Sequence, residues 1–186
     1  MNRRVTVFLV LFVFFLSIYA AIAFYATNPK PTQPFMSFDI PELLSGSVQS
    51  NVTVAVNETM NWHLEVTNKM GSTQLTQTIF RIGNLTTSAP NQTSPATTLL
   101  SLGNSTTVVP NGKTATVDFN WKVLSVSSSG ELEFLKIEIN GQQAVSTVGA
   151  ALGKDFRLFF ELWTFDAPSN TFRYYTWLQV WFSAGH

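Results

Sequence analysis

The stretch FRLFFELWTFDAPSNTFRYYTWLQVWF, residues 156–182, decides the fold. It holds eleven of the chain's 25 aromatic residues. The segment Asp166–Asn170 (DAPSN) is rich in turn-forming residues and separates two aromatic runs, which predicts a β-hairpin. A second membrane helix is excluded because Pro168 breaks it and four charged residues interrupt it: Arg157, Glu161, Asp166 and Arg173.

The two faces of this predicted hairpin differ in composition, since successive side chains of a strand point to opposite sides. One face is apolar and is predicted to be core: Phe156, Leu158, Phe160, Leu162, Tyr174, Leu178, Val180 and Phe182. The other, here called the aromatic face, mixes rings with charged and polar groups: Phe159, Trp163, Phe165, Tyr175, Trp177, Trp181, Arg157, Glu161, Arg173 and Gln179.

The aromatic face is the candidate binding surface. Its candidate residues are Phe159, Trp163, Tyr175, Trp177, Trp181, Arg157 and Arg173. We favour coverage of this face by the chain itself, either by a long loop at 84–112 or by a proline-rich spacer at 26–36, because exposed apolar patches of this size are rare on monomers. A protein partner is an alternative, since Trp, Tyr and Arg are enriched in binding hot spots. Stacking on sugar rings and packing at a lipid interface are two further alternatives.

Period-two alternation recurs along the rest of the chain. In NWHLEVTN, Trp62, Leu64 and Val66 share one face, and TATVDFNWKV (114–123) alternates in the same way. Residues 50–56, 74–82 and 131–139 are further predicted strands. In the last, Leu132 and Phe134 are predicted to point inward, followed by Leu135, Ile137 and Ile139, and this change of phase predicts a β-bulge near Phe134–Leu135. Alternation of this kind with turn signals between segments predicts an all-β protein, an antiparallel β-sandwich of about seven strands.

One internal segment, residues 84–112, differs in composition. Twenty of its 29 residues are Ser, Thr, Asn, Pro or Gly, and none is charged. Such a composition does not build a core of its own, so the segment is predicted to be a long surface loop. Leu99, Leu100 and Leu102 are predicted to fix its middle onto the sandwich.

The N-terminus predicts a membrane anchor. Residues 5–24 carry no charge, and 20 helical residues span the roughly 30 Å hydrocarbon core of a bilayer. Arg3 and Arg4 precede this run, so positive-inside bias predicts a cytoplasmic stub (1–4), a transmembrane anchor (5–25) and an exported remainder. A cleaved signal peptide is the alternative because Ala21-Ile22-Ala23 resembles a cleavage site, but the run exceeds the usual 7–15 apolar residues, which favours an uncleaved anchor.

The remainder divides into a spacer and one domain. Prolines at 29, 31 and 34 predict an extended linker over residues 26–36, followed by the sandwich over 37–186. From residue 27 onward, nine basic and eleven acidic side chains leave a net charge of −2, which offers no electrostatic surface for nucleic acid. The chain has no cysteine and therefore no disulfide framework.

Five N-x-S/T sequons occur, at Asn51, Asn57, Asn84, Asn91 and Asn104. Export makes them candidate N-glycosylation sites, although a chain rich in Asn and Thr also produces sequons by chance. The last 80 residues contain none, which at the level of sequence leaves the hairpin free for contact.

No catalytic motif is present, so we predict neither an enzyme nor a cofactor. His63 and Glu65 share one strand face, but two ligands without a third predict a solvated polar face and no metal site. The sequence has no nucleophile elbow, phosphate loop or zinc-ligand spacing.

Two tracts resemble known families. WHLEVTNKMGS followed by PNGKTATVDFNWKV resembles adhesion-related immunoglobulin-like domains of bacterial and archaeal surface proteins. GELEFLKIEI, DFRLFFELWTFD and FRYYTWLQVWF resemble the C-terminal part of an archaeal membrane-anchored family of unknown function, although this chain lacks the several membrane helices of some members. The resemblance implies an immunoglobulin-like sandwich on an archaeal cell surface and carries no catalytic residues.

We therefore expect a single-pass cell-membrane protein with a glycosylated extracellular domain. Its expected role is adhesion, envelope assembly or accessory binding, with a protein partner or a surface polysaccharide. The alternative is a carbohydrate-binding module that uses Trp163, Trp177 and Trp181 as a sugar platform. A hydrolase is the third and weakest possibility.

Overall fold

The computed structural model describes residues 14–20, 33–44, 52–96 and 98–185. The chain forms two compact units, Met1–Pro34 and Phe35–His186. In the first unit, residues 14–20 form helix α1. Most of the predicted anchor (5–25) and linker (26–36) lies outside the described residues, as does Asn51. Within the described ranges, no helix has the length and apolar character needed to cross a bilayer.

The second unit is a sandwich of two sheets. The first sheet contains β1 (Phe35–Asp39), β3 (Thr59–Lys69), β6 (Thr114–Ser129), β7 (Leu132–Ile139), β8 (Gln142–Val145) and β9 (Ala150–Ala151). The second contains β2 (Val52–Ala55), β4 (Gln74–Gly83), β5 (Ser101–Val109), β10 (Phe156–Asp166) and β11 (Thr171–Gly185). A one-turn helix, α2 (Pro41–Leu44), follows β1. The predicted all-β sandwich is confirmed.

The strand order places the aromatic hairpin centrally in the second sheet. That sheet runs β2-β11-β10-β4-β5, and the first runs β1-β3-β6-β7-β8 with β9 also paired to β7. All strand pairs are antiparallel except β2 with β11. The described residues form eleven strands, four more than the predicted seven, because β1, β5, β8 and β9 give little alternation signal in the sequence.

Aromatic rings fill the space between the sheets. Phe119 on β6 lies 4.8 Å, centroid to centroid, from both Phe80 on β4 and Phe160 on β10. All three side chains are buried, as are the predicted inward residues of β3: Trp62, Leu64 and Val66. Replacing one such ring with alanine costs about 3–5 kcal/mol. The alternation visible in the sequence therefore comes from this shared core.

The predicted bulge on β7 lies instead on its partner strand. β7 is paired regularly from Leu132 to Ile139, and the register shifts on β6 between Val123 and Ser125. Leu135, Ile137 and Ile139 are buried in the core, whereas Phe134 lies on the other face. There its ring packs so closely on Gly149 that a Cβ at that position would lie 2.9 Å away. Phe134 was therefore wrongly predicted to point inward.

The predicted loop 84–112 is only partly a loop. Residues 101–109 form β5, which pairs with β4 along its whole length. Its Ser-Thr-Thr-Val-Val run (105–109) is rich in β-branched residues, which favour strands, but the Ser/Thr/Asn composition of the whole segment concealed this. Residues 84–96 and 98–100 are irregular, and the segment 84–100 is called the strap from here on.

Candidate functional site

A register shift decides which side chains form the aromatic face. Leu162 of β10 pairs with Thr176 of β11, but the next residue, Trp163, pairs with Tyr174. Tyr175 is therefore an extra residue in a β-bulge, and the two tyrosines exchange their predicted faces. Tyr174 joins Trp163 on the outer face, with ring centroids 5.6 Å apart. Tyr175 packs against the core instead, and its hydroxyl accepts a hydrogen bond from the Met36 amide at 2.9 Å.

The strap covers part of the aromatic face. Ala96 and Leu99 of the strap form a buried cluster with Phe159, whose side chain has no exposed surface. Trp177 on β11 and Val148, from the segment between β8 and β9, pack against the same cluster. The favoured expectation of coverage by the chain itself is therefore confirmed for the part of the face around Phe159.

A buried carboxylate fixes the centre of the strap. Glu161 on β10 is fully buried, and its Oε2 lies 3.1 Å from Nε of Arg81 on β4. Its Oε1 accepts the amide hydrogen of Ala96 at 2.6 Å, and the Trp163 indole donates to Oε2 at 3.3 Å. Arg81 also donates to the carbonyl of Leu99. One ion pair thus bonds to the strap through both of its members.

A second buried arginine holds the start of the strap. Arg157 donates from Nε and an Nη to the carbonyl of Asn84 at 3.1 and 2.9 Å, and it also donates to the carbonyl of Thr87. Its guanidinium carbon lies 4.4 Å from the Trp181 ring centroid and 5.1 Å from that of Phe159. Burial lowers the pKa of Arg157 from its ordinary value. Cation–π contact and carbonyl acceptors replace the water that this cation loses.

Tyr174 holds the strap near Asn91. Its hydroxyl donates to the carbonyl of Asn91 at 2.9 Å. Burial, together with the negative charge of Glu161, raises the pKa of Tyr174 to about 12. The phenol therefore stays protonated and remains a donor well above neutral pH.

The predicted site residues separate into two groups. Phe159 and Arg157 are buried under the strap, and Tyr175 points into the sandwich. Trp163, Trp177 and Trp181 remain partly exposed. Arg173 pairs with Thr164 beyond the bulge, so it lies on the opposite face from Trp163 and its predicted place on the aromatic face was wrong. It is exposed and lies 2.7 Å from Asp166 of the hairpin turn. Only this second group is accessible to a ligand.

Sequence reasoning missed three residues that organise this face: Arg81, Glu161 and Tyr174. Glu161 was assigned to the aromatic face but given no role. A signal was available, because a charged residue inside an apolar strand is buried only when it is paired. The partner, Arg81, lies 80 positions away on β4. The antiparallel pairing of β10 with β4, in which Arg81 lies opposite Phe159, brings the two side chains together.

His63 lies between carboxylates on the outer face of the first sheet. Its Nδ1 contacts Glu42 of α2, and its Nε2 lies 3.7 Å from Asp118 of β6. The hydrogen bond with Glu42 raises the pKa of His63. Burial alone would raise the pKa of Glu42, but the hydrogen bonds from His63 and the backbone lower it. Among the residues that the structure describes, no group of three His, Asp or Glu side chains is arranged to hold a metal.

Four of the five sequons fall in described residues. Asn57, Asn91 and Asn104 are exposed, whereas Asn84 is partly buried at the start of the strap. Asn104 lies on β5 opposite Ile79, in the same row of the second sheet as Glu161 and Trp177. The hairpin itself contains no sequon, but sequons on neighbouring segments lie beside its aromatic face.

No protein-family model matches this chain, and no curated protein is significantly similar to it in sequence.

Proposed function

We propose that this protein is a non-catalytic binding or structural domain, anchored in the cell membrane by residues 5–25 and displayed on the extracellular side. One observation carries the proposal. Three charged residues are buried in the described part of the chain, Arg81, Arg157 and Glu161, and all three bond to the strap. Buried charges are the usual candidates for chemistry, but here they hold the fold together.

The proposed location rests on the N-terminal sequence. Its uncharged 20-residue run follows Arg3 and Arg4, which favours an N-terminus inside and a sandwich outside. Protease treatment of intact cells tests this directly. We expect the sandwich to be degraded or released from outside while a cytosolic control protein survives, and the chain to stay with membranes after alkaline extraction. Recovery of the native chain from cytosol, free of lipid, would contradict the proposal.

The proposed immunoglobulin-like topology is supported by the second sheet. There the hairpin β11-β10 lies beside β4, as strands G, F and C do in an immunoglobulin sheet. The first sheet has the spatial arrangement A-B-E-D if β1, β3, β6 and β7 fill those positions. The chain departs in one respect, because β6 in the E position precedes β7 in the D position. The proposal is thus a variant of the fold in which one hairpin is reversed.

A role in adhesion, envelope assembly or accessory binding is proposed together with the resemblance to archaeal surface proteins. The support is the combination of a strap-covered sandwich, a predicted anchor and exposed sequons. Cross-linking on intact cells followed by purification tests this role. We expect cross-links from the sandwich to envelope proteins or polysaccharide.

A carbohydrate-binding module is the second candidate. Trp177, Gln179 and Trp181 alternate along β11, so the two tryptophans lie on one face with an exposed amide between them. Aromatic faces with nearby polar groups suit sugar rings. Polysaccharide pull-down should then be lost in Trp177→Ala and Trp181→Ala. Binding that persists in both variants would exclude this candidate. No binding by the wild type would favour a protein partner instead.

A further inference from the structure

The sequons on the second sheet and its strap are not equivalent in the folded protein. We infer that Asn91 and Asn104 are N-glycan acceptors, and that Asn84 is a structural asparagine that carries no sugar. The inference rests on the proposed export of the domain and adds to it which side chains are modified. The sequence alone does not distinguish the three sites, since each has the N-x-T pattern.

Both ends of the Asn84 side-chain amide are hydrogen-bonded within the fold. Its Nδ2 donates to the carbonyl of Gly149 at 2.8 Å, which joins the strap to the segment before β9. Its Oδ1 accepts hydrogen bonds from the Thr86 amide at 3.1 Å and from the Thr86 and Thr87 hydroxyls at 2.9 Å. Arg157 binds the backbone carbonyl of the same residue.

Glycosylation acts on the atom that this network uses. Nδ2 bonds to C1 of the first sugar, the C1–O bond to a lipid-linked phosphate or pyrophosphate donor breaks, the phosphate leaves with the bonding electrons, and Nδ2 loses one proton. One N–H would remain on Nδ2, but the side chain of Asn84 is partly buried and lies against Gly149, which is itself buried. A sugar on Nδ2 would therefore compete for space with the contact between the strap and Gly149.

Asn91 has the opposite environment. It is exposed, and its Oδ1 accepts from the amides of Thr93 and Ser94 at 2.9 Å and from the Thr93 hydroxyl at 3.1 Å. Its Nδ2 makes no hydrogen bond within the described ranges, so the turn fixes the carbonyl end of the amide and leaves the nitrogen available.

Asn104 is equally accessible. It lies exposed on β5, an edge strand of the second sheet, and its Oδ1 accepts only a long 3.5 Å contact from Gln77. In the part of the chain that the structure describes, its Nδ2 has no partner. Since Asn104 shares a row with Glu161 and the strap carries Asn91, sugars at both positions would flank the covered region of the aromatic face.

The test is site mapping on the full chain, purified from its own cell membranes. Glycopeptides are fragmented by electron transfer, which keeps the sugar on its residue. We expect sugar on Asn91 and Asn104 and an unmodified Asn84. Sugar on Asn84 would overturn the inference, and so would bare Asn91 or Asn104 on a chain that protease accessibility shows to be exported. That last result leaves the proposed function standing, whereas a chain that is not exported overturns both.

Matched variants separate the two roles of asparagine. Asn91→Gln and Asn104→Gln should each remove one glycan mass from the intact protein, whereas Asn84→Gln should remove none. Asn84→Gln should instead lower the melting temperature by about 3 °C or more, because Gly149 loses its donor. Loss of a glycan mass in Asn84→Gln would contradict the assignment even if that variant is unstable, since site mapping of the wild type gives an independent result.

Discussion

The Nε atom of Arg81 lies 3.1 Å from Oε2 of Glu161, whose side chain is fully buried between β10 and the strap. Both partners also bond to the strap backbone, Glu161 through the Ala96 amide and Arg81 through the Leu99 carbonyl. The pair therefore joins the sheet to the irregular segment that covers it. A strap rich in Ser and Thr has little apolar surface of its own, so its position depends on these polar contacts.

Glu161→Gln should destabilise the domain by about 3–5 kcal/mol, because it leaves the Arg81 cation buried without a counter-charge. Urea denaturation followed by tryptophan fluorescence measures the change. The double variant Arg81→Met/Glu161→Gln should lose less stability than the sum of the losses in the two single variants, since both members of the pair are then neutral.

The matched control is Arg173→Ala, which breaks the exposed pair with Asp166 at the hairpin turn. Exposed ion pairs contribute about 0–1 kcal/mol, so this variant should be nearly neutral. Equal losses in Glu161→Gln and Arg173→Ala would show that the buried pair does not hold the strap.

Gly83→Ala should displace the strap from Phe159. A Cβ at Gly83 would lie 2.7 Å from Cε2 of Phe159 and 2.9 Å from Oγ1 of Thr87. Overpacking of this kind costs about 1–3 kcal/mol. Hydrogen exchange should become faster at Thr87 and Ala96, because the contacts on both sides of the strap loosen.

Gly103→Ala is the control for this substitution. It lies on the neighbouring strand β5, where an added Cβ would meet Phe80 at an ordinary 3.7 Å. We expect unchanged or slightly raised stability, since alanine restricts the unfolded chain. A Gly83→Ala protein as stable as Gly103→Ala would mean that the strap is not packed on Phe159 as described.

The sequence was sufficient for the inward and outward faces of strands such as β3, and insufficient for the strap and for the edge strands. Alternation in residues such as Trp62, Leu64 and Val66 predicts inward and outward faces because it reflects a local period. The exchange of Tyr174 and Tyr175 depends on one extra residue in the hairpin. Assigning alternate residues of a strand to alternate faces cannot detect a bulge. The contact of Arg81 with Glu161 spans 80 positions, so no local pattern contains it.

Tyr174 should ionise well above the ordinary range of a tyrosine. Burial and the Glu161 charge raise its pKa from 10.0 to about 12, so the folded state keeps a proton that the unfolded state loses. Stability from this group is complete below about pH 10 and falls as the pH rises to about 12. Absorbance at alkaline pH should show a late ionisation that disappears in Tyr174→Phe and persists in Tyr175→Phe.

The same two variants test the exchange of faces. Tyr174→Phe should free the strap near Asn91, whereas Tyr175→Phe should affect the Met36 amide of β1. Hydrogen exchange at these two places distinguishes the variants. Faster exchange near Asn91 in Tyr175→Phe alone would show that Tyr175, and not Tyr174, lies on the aromatic face, as the sequence predicted.

The contact between His63 and Glu42 should hold α2 against β3 most firmly in mildly acidic solution. The raised pKa of His63 means that its contribution is complete below the unfolded value of 6.5 and is lost as the pH rises through the folded value. The lowered pKa of Glu42 means that its contribution is present above 4.5 and is lost as the pH falls through the folded value. The contact is therefore strongest between about pH 4.5 and 6.5.

NMR titration of the His63 ring should give a pKa above 6.5 in the wild type. In Glu42→Gln the pKa should return toward 6.5, because the hydrogen bond with the Glu42 carboxylate, the largest cause of the shift, is then removed. Asp118→Asn is the control: Asp118 lies 3.7 Å from Nε2 and acts only through its charge, so its loss should lower the pKa of His63 less. A His63 pKa that is the same in Glu42→Gln and in the wild type would show that α2 does not dock on β3 through this pair.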